Sequence, residues 1–275
     1  MNDFTLCQNL VRTFVEEYLN GDIYALADFD FTALRADKRF GCNGRMFDCD
    51  DTNLIRTICF LLWGEQFPDL SLADIGSGKK YRGDTLNTFN SVFGTYFPEM
   101  LSCKGILKSN APENIRLQAN KFYSDYHTIG NFILLPNIAE TDKKRAYTLN
   151  TYRGIAYKDY FDLFLCQLDL CLTSGNGDKH LTALIDRNTF FFSWLNENGG
   201  LKYFGNICWL EDYFINGVPQ SVFKPHIYCL HKKQEWAERE KLNYIKHVEK
   251  YMITATTIIK NRAAKIIEQL SVKCR

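Results

Sequence analysis

The sequence lacks a long hydrophobic run: no apolar stretch approaches the roughly 18 residues that a membrane-spanning helix needs. At its N-terminus it lacks the basic segment followed by an apolar one that is typical of a secretory signal. Charge of one sign is not in excess, because 33 basic residues face 32 acidic ones and the net charge is +1. These absences predict a cytoplasmic protein with no membrane partner and no global attraction for nucleic acid.

Closely spaced cysteine pairs are also missing, although the chain has ten cysteines. No Cys-x-x-Cys occurs, so the ligand spacing of a zinc site is absent. Several cysteines lie inside apolar runs, such as Ile-Cys-Phe at 58–60, where a thiol behaves as a small hydrophobic side chain. The sequence therefore predicts buried free thiols and no metal site.

What the chain does have is a high content of aromatic side chains, with 21 Phe and 15 Tyr among 275 residues. This composition argues against disorder, and the length suffices for a large buried core. The spacing of apolar residues predicts an α+β fold that is rich in helix, with few and short strands. We expect a single domain over 1–275, with its recognisable motifs concentrated in a core at 28–225.

Two helices are predicted in the N-terminal part, at 4–20 and at 52–67, from apolar residues that recur on one helical face. Three acidic residues, Asp48, Asp50 and Asp51, directly precede the second helix. They lack the glycine and the distal glutamate of a calcium loop. Capping of the helix is therefore the favoured interpretation, and a cation site is the alternative.

Polar, glycine-containing stretches lie around these helices. Residues 28–51 are predicted to form a loop with one or two short strands. Gly-Ser-Gly-Lys at 76–79 is similar in its letters to a phosphate-binding loop, but Lys80 stands where serine or threonine is required, so a plain turn is favoured. Residues 81–89 are predicted to open a helix with Asp84 at its N-cap, which leaves Arg82 in the preceding loop, available to an anion.

A short stretch at 126–137 has the most informative pattern in the chain. His127 and a Gly-Asn pair directly precede four apolar residues at 132–135, which Pro136 stops. Because this run is short and bounded by turn formers, it predicts a buried strand with His127 at its mouth. The polar stretch before it, at 98–122, is predicted to be a loop with one short helix.

The C-terminal part predicts helices at 158–172, at 179–196 and at 232–272. The last of these contains neither glycine nor proline, and apolar residues form a seam at every seventh position, at Ile245, Met252, Ile259 and Ile266. Packing of this seam on its own domain is favoured over a coiled coil with a second chain. A weak homodimer through overhanging final turns remains the alternative to a monomer.

Four motifs follow one another along the chain: Tyr-Arg-Gly-Asp-Thr-Leu-Asn-Thr-Phe at 81–89, His-Thr-Ile-Gly-Asn before an apolar strand and proline at 127–136, Asn-x-x-Arg-Gly with Asp-x-Phe-Asp at 150–162, and Asn-Arg at 261–262. Over about residues 28–267 their order resembles an uncharacterised family of bacterial and prophage-borne proteins, a domain of unknown function. The resemblance implies an intracellular, prophage-associated setting in the conflict between phage and host. It brings no established activity or catalytic residue.

A second, local resemblance concerns residues 129–137, which are similar to the Gly-Asn-Leu element of nucleases of the His-Asn-His type. That resemblance implies a histidine that activates water beside a divalent metal, and an asparagine that fixes the loop. The chain departs from the pattern because no other histidine precedes His127. The cofactor is therefore left open, with a divalent metal as the one that this resemblance implies.

These motifs predict a site of polar residues at the junctions between loops and regular elements. His127 is the natural general base, since an unperturbed imidazole titrates near neutral pH. Asp125 or Asp162 would orient the imidazole, and Arg82 and Arg153 would hold a phosphate. The predicted catalytic residues are His127, Asp125 and Asn131, and the predicted substrate-binding residues are Arg82, Asp84, Asn150 and Arg153. In the alternative interpretation the same residues form a structural network, with the arginines paired to Asp84 and Asp162.

Two functions follow from this sequence, and whether the chain is an enzyme stays open between them. The first is an enzyme that acts on nucleic acid or a nucleotide through the His/Arg/Asn cluster. The second is a non-catalytic sensor or adaptor that binds a phage or host protein through its aromatic surface and its long C-terminal helix.

Overall fold

A computed structural model describes residues 2–42, 49–88, 112–142, 145–157, 160–223 and 238–275. Within these ranges helices predominate and the strands are short, which confirms the predicted α+β fold with its long C-terminal helix. The described helices are α1 (Asp3–Leu19), α2 (Asn53–Trp63), α3 (Glu113–Tyr126), α4 (Leu149–Ala156), α5 (Phe161–Thr173), α6 (Lys179–Arg187), α7 (Thr189–Glu197), α8 (Gly200–Ile207) and α9 (Glu238–Lys273). The described strands are β1 (Tyr81–Thr85), β2 (Phe132–Pro136), β3 (Glu140–Asp142), β4 (Arg145–Tyr147), β5 (Phe214–Ile215) and β6 (Val218–Pro219), paired antiparallel as β1–β2, β3–β4 and β5–β6.

The start of α2 differs from the prediction in its capping residue. Thr52 caps the helix, because its hydroxyl oxygen accepts the N–H of Ile55 at 3.2 Å. The Asp51 carboxylate instead accepts the N–H of Ser77, at 2.8 Å, and so ties the residues before α2 to a distant turn. Asp48 lies outside the described residues.

The segment before α2 contains short 3-10 turns where strands were expected. One turn spans Phe31–Ala36 and another spans Cys49–Asp51, and no strand occurs in the described parts of 28–51. Asp30 starts the first turn by accepting the N–H of Thr32 at 2.8 Å, a local bond that competes with strand formation.

Residues 81–85 are a strand, so the prediction of a helix with Asp84 at its N-cap is wrong. Strand β1 pairs antiparallel with β2, with Tyr81 opposite Pro136 and Thr85 opposite Phe132. Burial alternates along β1, as a period of two requires, with Tyr81 and Thr85 on the buried face. The partner strand lies about fifty residues away in the sequence, and its pairing overrides the local cap-like pattern.

The predicted buried strand at 132–135 is present as β2, and all five of its residues are buried. Helix α3 ends at Tyr126, His127 follows it, and a short 3-10 turn at Ile129–Asn131 leads into the strand. His127 therefore lies at the junction between a helix and a strand. Of the stretch predicted as a loop with one short helix at 98–122, residues 98–111 lie outside the described part, and the remainder belongs to the helix α3 apart from Pro112.

The single helix predicted at 179–196 is two helices, α6 and α7, which meet at Asn188. This side chain is fully buried. Its Nδ2 donates to the carbonyl of Leu184 at 2.8 Å and to that of Ile138 at 3.0 Å, and its Oδ1 accepts the N–H of Ile138 at 3.0 Å. The amide thus serves Ile138, two residues beyond β2, as a substitute backbone partner, which accounts for the break.

Helix α9 packs against the rest of its own chain. Met252, Ile259 and Ile266 of the predicted seam are all at most 1% exposed. The expectation that the final turns overhang is wrong for Ile266, Ile267 and Leu270, which are buried as well, whereas Val272 is exposed. No helix in the described ranges is both long enough and apolar enough to cross a membrane.

Candidate functional site

A surface cleft of about 470 Å³ lies where four separate segments meet. They are the 3-10 turns at Phe31–Ala36 and Cys49–Asp51 with strand β1 beside them, and the C-terminal end of α3. The side chains that line the cleft are Thr32, Arg35, Cys49, Asp50, Thr85, Tyr123, Tyr126 and His127. It therefore contains a base, a cation, a carboxylate and two aromatic phenols.

The end of α3 presents its rings to the cleft. His127 terminates the helix, with φ −106° and ψ 27°, and its carbonyl accepts the N–H of Phe31 at 3.1 Å. The imidazole packs edge-on against the ring of Tyr126, with the centroids 4.4 Å apart. Tyr123 lies almost one turn earlier on the same helix face and lines the cleft too. The half-buried histidine is thus accessible from the cleft and held by its backbone.

Asn131, predicted to be catalytic, is fully buried and does not line the cleft. Its Oδ1 accepts the N–H of Asn87 at 2.9 Å, while its Nδ2 donates to the carbonyls of Asn87 at 2.9 Å and of Tyr126 at 2.8 Å. These bonds occupy the amide and join the residues after β1 to the end of α3. The Asn131 amide is therefore bonded to the main chain of the residue that precedes His127.

Asp125, the second predicted catalytic partner, is not among the residues that line the cleft. The residue is 5% exposed, and Oδ2 lies 3.7 Å from Nζ of Lys260 on α9. Burial raises the pKa of the Asp125 carboxyl, and the nearby Lys260 ammonium opposes that shift. Its backbone carbonyl accepts the hydroxyl of Thr128 at 2.8 Å, so Asp125 and Thr128 bracket the histidine.

Arg153 and Asp84, both predicted to bind substrate, form an ion pair. Arg153 is fully buried, and its Nη2 lies 2.6 Å from Oδ2 of Asp84 and 2.7 Å from the carbonyl oxygen of Thr85. The guanidinium also lies 5.5 Å from the ring centroid of Phe161. This pair ties α4 to the end of β1, as the structural interpretation of the motifs expected for Asp84.

The other two predicted ligands also lie outside the set that lines the cleft. The half-buried Arg82 has its Nη2 4.0 Å from Oδ2 of Asp51. Asn150 is in the first turn of α4, and both atoms of its amide are buried without a hydrogen bond inside the described part of the chain. Of the seven predicted site residues, the structure thus places one, His127, on the cleft wall.

The sequence reasoning missed Arg35 as a site residue and assigned Asp50 to helix capping. A Cβ at Gly83 of β1 would lie 3.1 Å from the carbonyl oxygen of Asp50 and 3.2 Å from its Cβ. The glycine therefore lets the turn at Cys49–Asp51 pack on the strand, which brings Asp50 into the cleft. No pattern within one segment predicts that Arg35 and His127 line the same cleft, since segments far apart in the sequence must first assemble.

Metal-binding residues do not converge in the described ranges: no group of three or more His, Cys, Asp or Glu side chains there could hold a metal ion. The residues present thus do not fit the metal site that the nuclease resemblance implies, and no catalytic step is assigned to a metal. Comparisons of the chain with protein-family models, with curated proteins and with solved structures return no match.

Proposed function

We propose that the chain is a hydrolase that cleaves a phosphoester bond in a nucleotide or a nucleic acid, with His127 as the general base. The observation that carries the proposal is the shared cleft, in which His127 and Arg35 line one cavity of about 470 Å³. A neutral imidazole accepts a proton from water near neutral pH, and a guanidinium binds the oxygens of a phosphate.

In this reaction His127 removes a proton from a water molecule while the oxygen of that water attacks the phosphorus. The bond from phosphorus to the ester oxygen breaks, and the leaving oxygen takes up a proton from solvent. Arg35 stays bonded to the non-bridging oxygens and stabilises the charge that they carry in the transition state. Arg35 thereby takes the part that the sequence assigned to Arg82 and Arg153, since Arg153 is buried against Asp84.

The two tyrosines support a substrate that contains a nucleobase. Tyr123 and Tyr126 line the same cavity as the histidine, and a base stacked on a tyrosine ring gains about 1–3 kcal/mol. A cavity of about 470 Å³ falls in the usual range for a small-molecule ligand, and a net charge of +1 offers no extended basic surface to a duplex. A mononucleotide or a single unstacked nucleotide of a longer strand therefore fits best.

A hydrolysis assay over nucleoside phosphates, single-stranded and double-stranded DNA, and RNA tests the proposal, each with and without Mg²⁺ or Mn²⁺. We expect His127→Gln to lower kcat by roughly a hundredfold to ten thousandfold. Arg35→Gln is expected to raise KM and to lower kcat. The matched controls are His180→Gln, whose imidazole is 61% exposed, and Arg187→Gln on the surface of α6. Wild-type turnover that persists in His127→Gln, or the absence of hydrolysis of every substrate, would refute the proposal.

The setting that we propose with this activity is the conflict between phage and host, which rests on the resemblance to prophage-borne proteins alone. Expression of the wild-type chain and of His127→Gln in a bacterial host under phage challenge tests it. A difference in phage yield between these two strains supports the setting, and equal yields contradict it.

A further inference from the structure

We propose that Arg262 of α9 is a positioning residue for His127, which it orients through the backbone of residues 130–132. The inference rests on the proposed role of His127 as the general base. It assigns a function to a residue that lies in the C-terminal helix and outside the cleft lining.

The guanidinium of Arg262 is bonded to the segment that follows the histidine. The residue is 1% exposed, and its Nη1 donates to the carbonyl of Gly130 at 2.8 Å and to that of Phe132. Its Nε donates to the carbonyl of Cys208 at 2.8 Å, just after α8. One side chain thus joins the turn after His127, the end of α8 and α9 itself.

The backbone of this turn packs closely against α9 at Gly130. A Cβ built on Gly130 would lie 2.0 Å from the carbonyl oxygen of Ile259 and 2.9 Å from the Cβ of Ala263. The glycine therefore allows the backbone of the turn to lie directly on the helix that carries Arg262. A displacement of this part of α9 must move the turn with it.

Hydrogen bonds hold the backbone on both sides of His127. Asn131 donates to the carbonyl of Tyr126, the residue before His127, at 2.8 Å. On the other side, the N–H of Thr128 donates to the carbonyl of Asp125 at 3.2 Å, and the Asp125 carboxylate lies 3.7 Å from Lys260 of α9. The backbone of His127 is therefore held from α9 by two routes, one through residues 130–132 and one through Asp125.

The burial of this cation is costly, which argues for a geometric role. No ion pair of Arg262 with a carboxylate occurs among the described residues, and burial lowers the pKa of its guanidinium to about 10. Its Nη2 is buried without a hydrogen bond in the described part of the chain. A methionine would fill much of the same volume without this cost, whereas the fork of the guanidinium can reach carbonyls on two segments at once.

The experiment compares Arg262→Lys, which keeps the charge, with Arg262→Gln, and uses Arg12→Gln as the matched control. Arg12 also donates to two carbonyls near the end of α9, those of Cys274 and Arg275, both at 2.7 Å, but it is remote from the turn in the sequence. Each protein is labelled in its histidines, and the imidazole signals are followed by NMR through a pH titration. His127→Gln identifies the signal of His127 by its disappearance.

We expect Arg262→Gln to shift or broaden the His127 signal and to change its titration midpoint, while the His180 signal stays at its wild-type position. In the hydrolysis assay kcat should fall on the order of tenfold to a hundredfold, with KM within about threefold of wild type, because the base is misplaced and the phosphate contact is not. Arg262→Lys should recover part of both effects, and Arg12→Gln should show neither.

An unchanged His127 signal in folded Arg262→Gln overturns the inference, as does an equal change in Arg12→Gln. If Arg262→Gln does not fold, Arg262→Lys decides in the same way. A shifted His127 signal in a protein whose wild type hydrolyses no substrate leaves the positioning role standing and refutes the proposed function instead.

Discussion

Replacement of Asn131 by alanine is expected to destabilise the fold strongly, because its amide takes the place of a backbone partner. The side chain is fully buried and makes three hydrogen bonds of 2.8–2.9 Å to the main chain of Asn87 and Tyr126. The Asn131→Ala variant leaves one N–H and two carbonyls of these residues without that partner.

The magnitude follows from the number of bonds. Each lost hydrogen bond costs about 1 kcal/mol net, and each buried backbone group that is left unsatisfied costs about 1–3 kcal/mol. For three bonds we expect a loss of about 3–5 kcal/mol in the free energy of unfolding, which is a large part of the 5–15 kcal/mol that is usual for a domain. Asn131→Asp keeps the acceptor for Asn87 but sets a carboxylate against two carbonyl oxygens, so at neutral pH it should cost at least as much.

Urea unfolding followed by tryptophan fluorescence measures the effect, with Asn198→Ala as the control. The exposed Asn198 donates a single bond, to the carbonyl of Trp194 at 2.8 Å, and its loss should cost no more than about 0.5 kcal/mol. A loss below about 1 kcal/mol in Asn131→Ala would show that the amide does not hold the two segments together. The structural account of this residue would then be wrong.

Three further predictions concern ionisation, thiols and self-association. Because burial raises the pKa of Asp125, its ionisation costs stability as the pH rises through that pKa, so Asp125→Asn should gain in unfolding free energy relative to wild type from acid to neutral pH; a constant difference contradicts this. Burial raises the pKa of Cys59 to about 12, and Cys208 is buried as well, so mass spectrometry should find both alkylated by iodoacetamide at about pH 8 only after unfolding. Since the α9 seam is buried in its own chain, the sedimentation coefficient should keep its monomer value over a hundredfold concentration range, and an increase with concentration would indicate a dimer.

The elements that the sequence predicted well carry their signal locally. Residues 132–135 are apolar without interruption and end at a proline, so β2 could be read from a handful of letters. The seam of α9 repeats over several turns, and the period alone predicts the helix. Strand β1 lacks such a signal, because Gly83 and Asp84 disfavour a strand until the backbone of β2 pairs with them.

The same difference between local signals and contacts of distant segments applies to the candidate site. His127 could be singled out because the apolar run of β2 follows it closely in the sequence. Asn131 was singled out from the same pattern, and its amide is bonded to the main chain of Asn87 and Tyr126. Arg35 and Asp50 reach the cleft only through contacts between segments far apart in sequence, such as the packing of Asp50 on Gly83. A pattern within one segment therefore cannot predict that these residues line the same cleft.

The packing of α9 also changes how the sensor or adaptor hypothesis can be separated from the enzyme. Met252, Ile259 and Ile266 belong to the main core, so a chain that ends before α9 loses the support of the turn after His127 together with any partner-binding face. Loss of partner capture in such a truncation would therefore reflect a damaged fold under either hypothesis.

Ile253 and Val272 are 45% and 59% exposed on the same helix. A partner that docks on α9 must cover side chains of this kind, and their replacement by aspartate leaves the core and the cleft intact. Only substitutions on that outer face can distinguish a docking helix from the internal support that the structure shows.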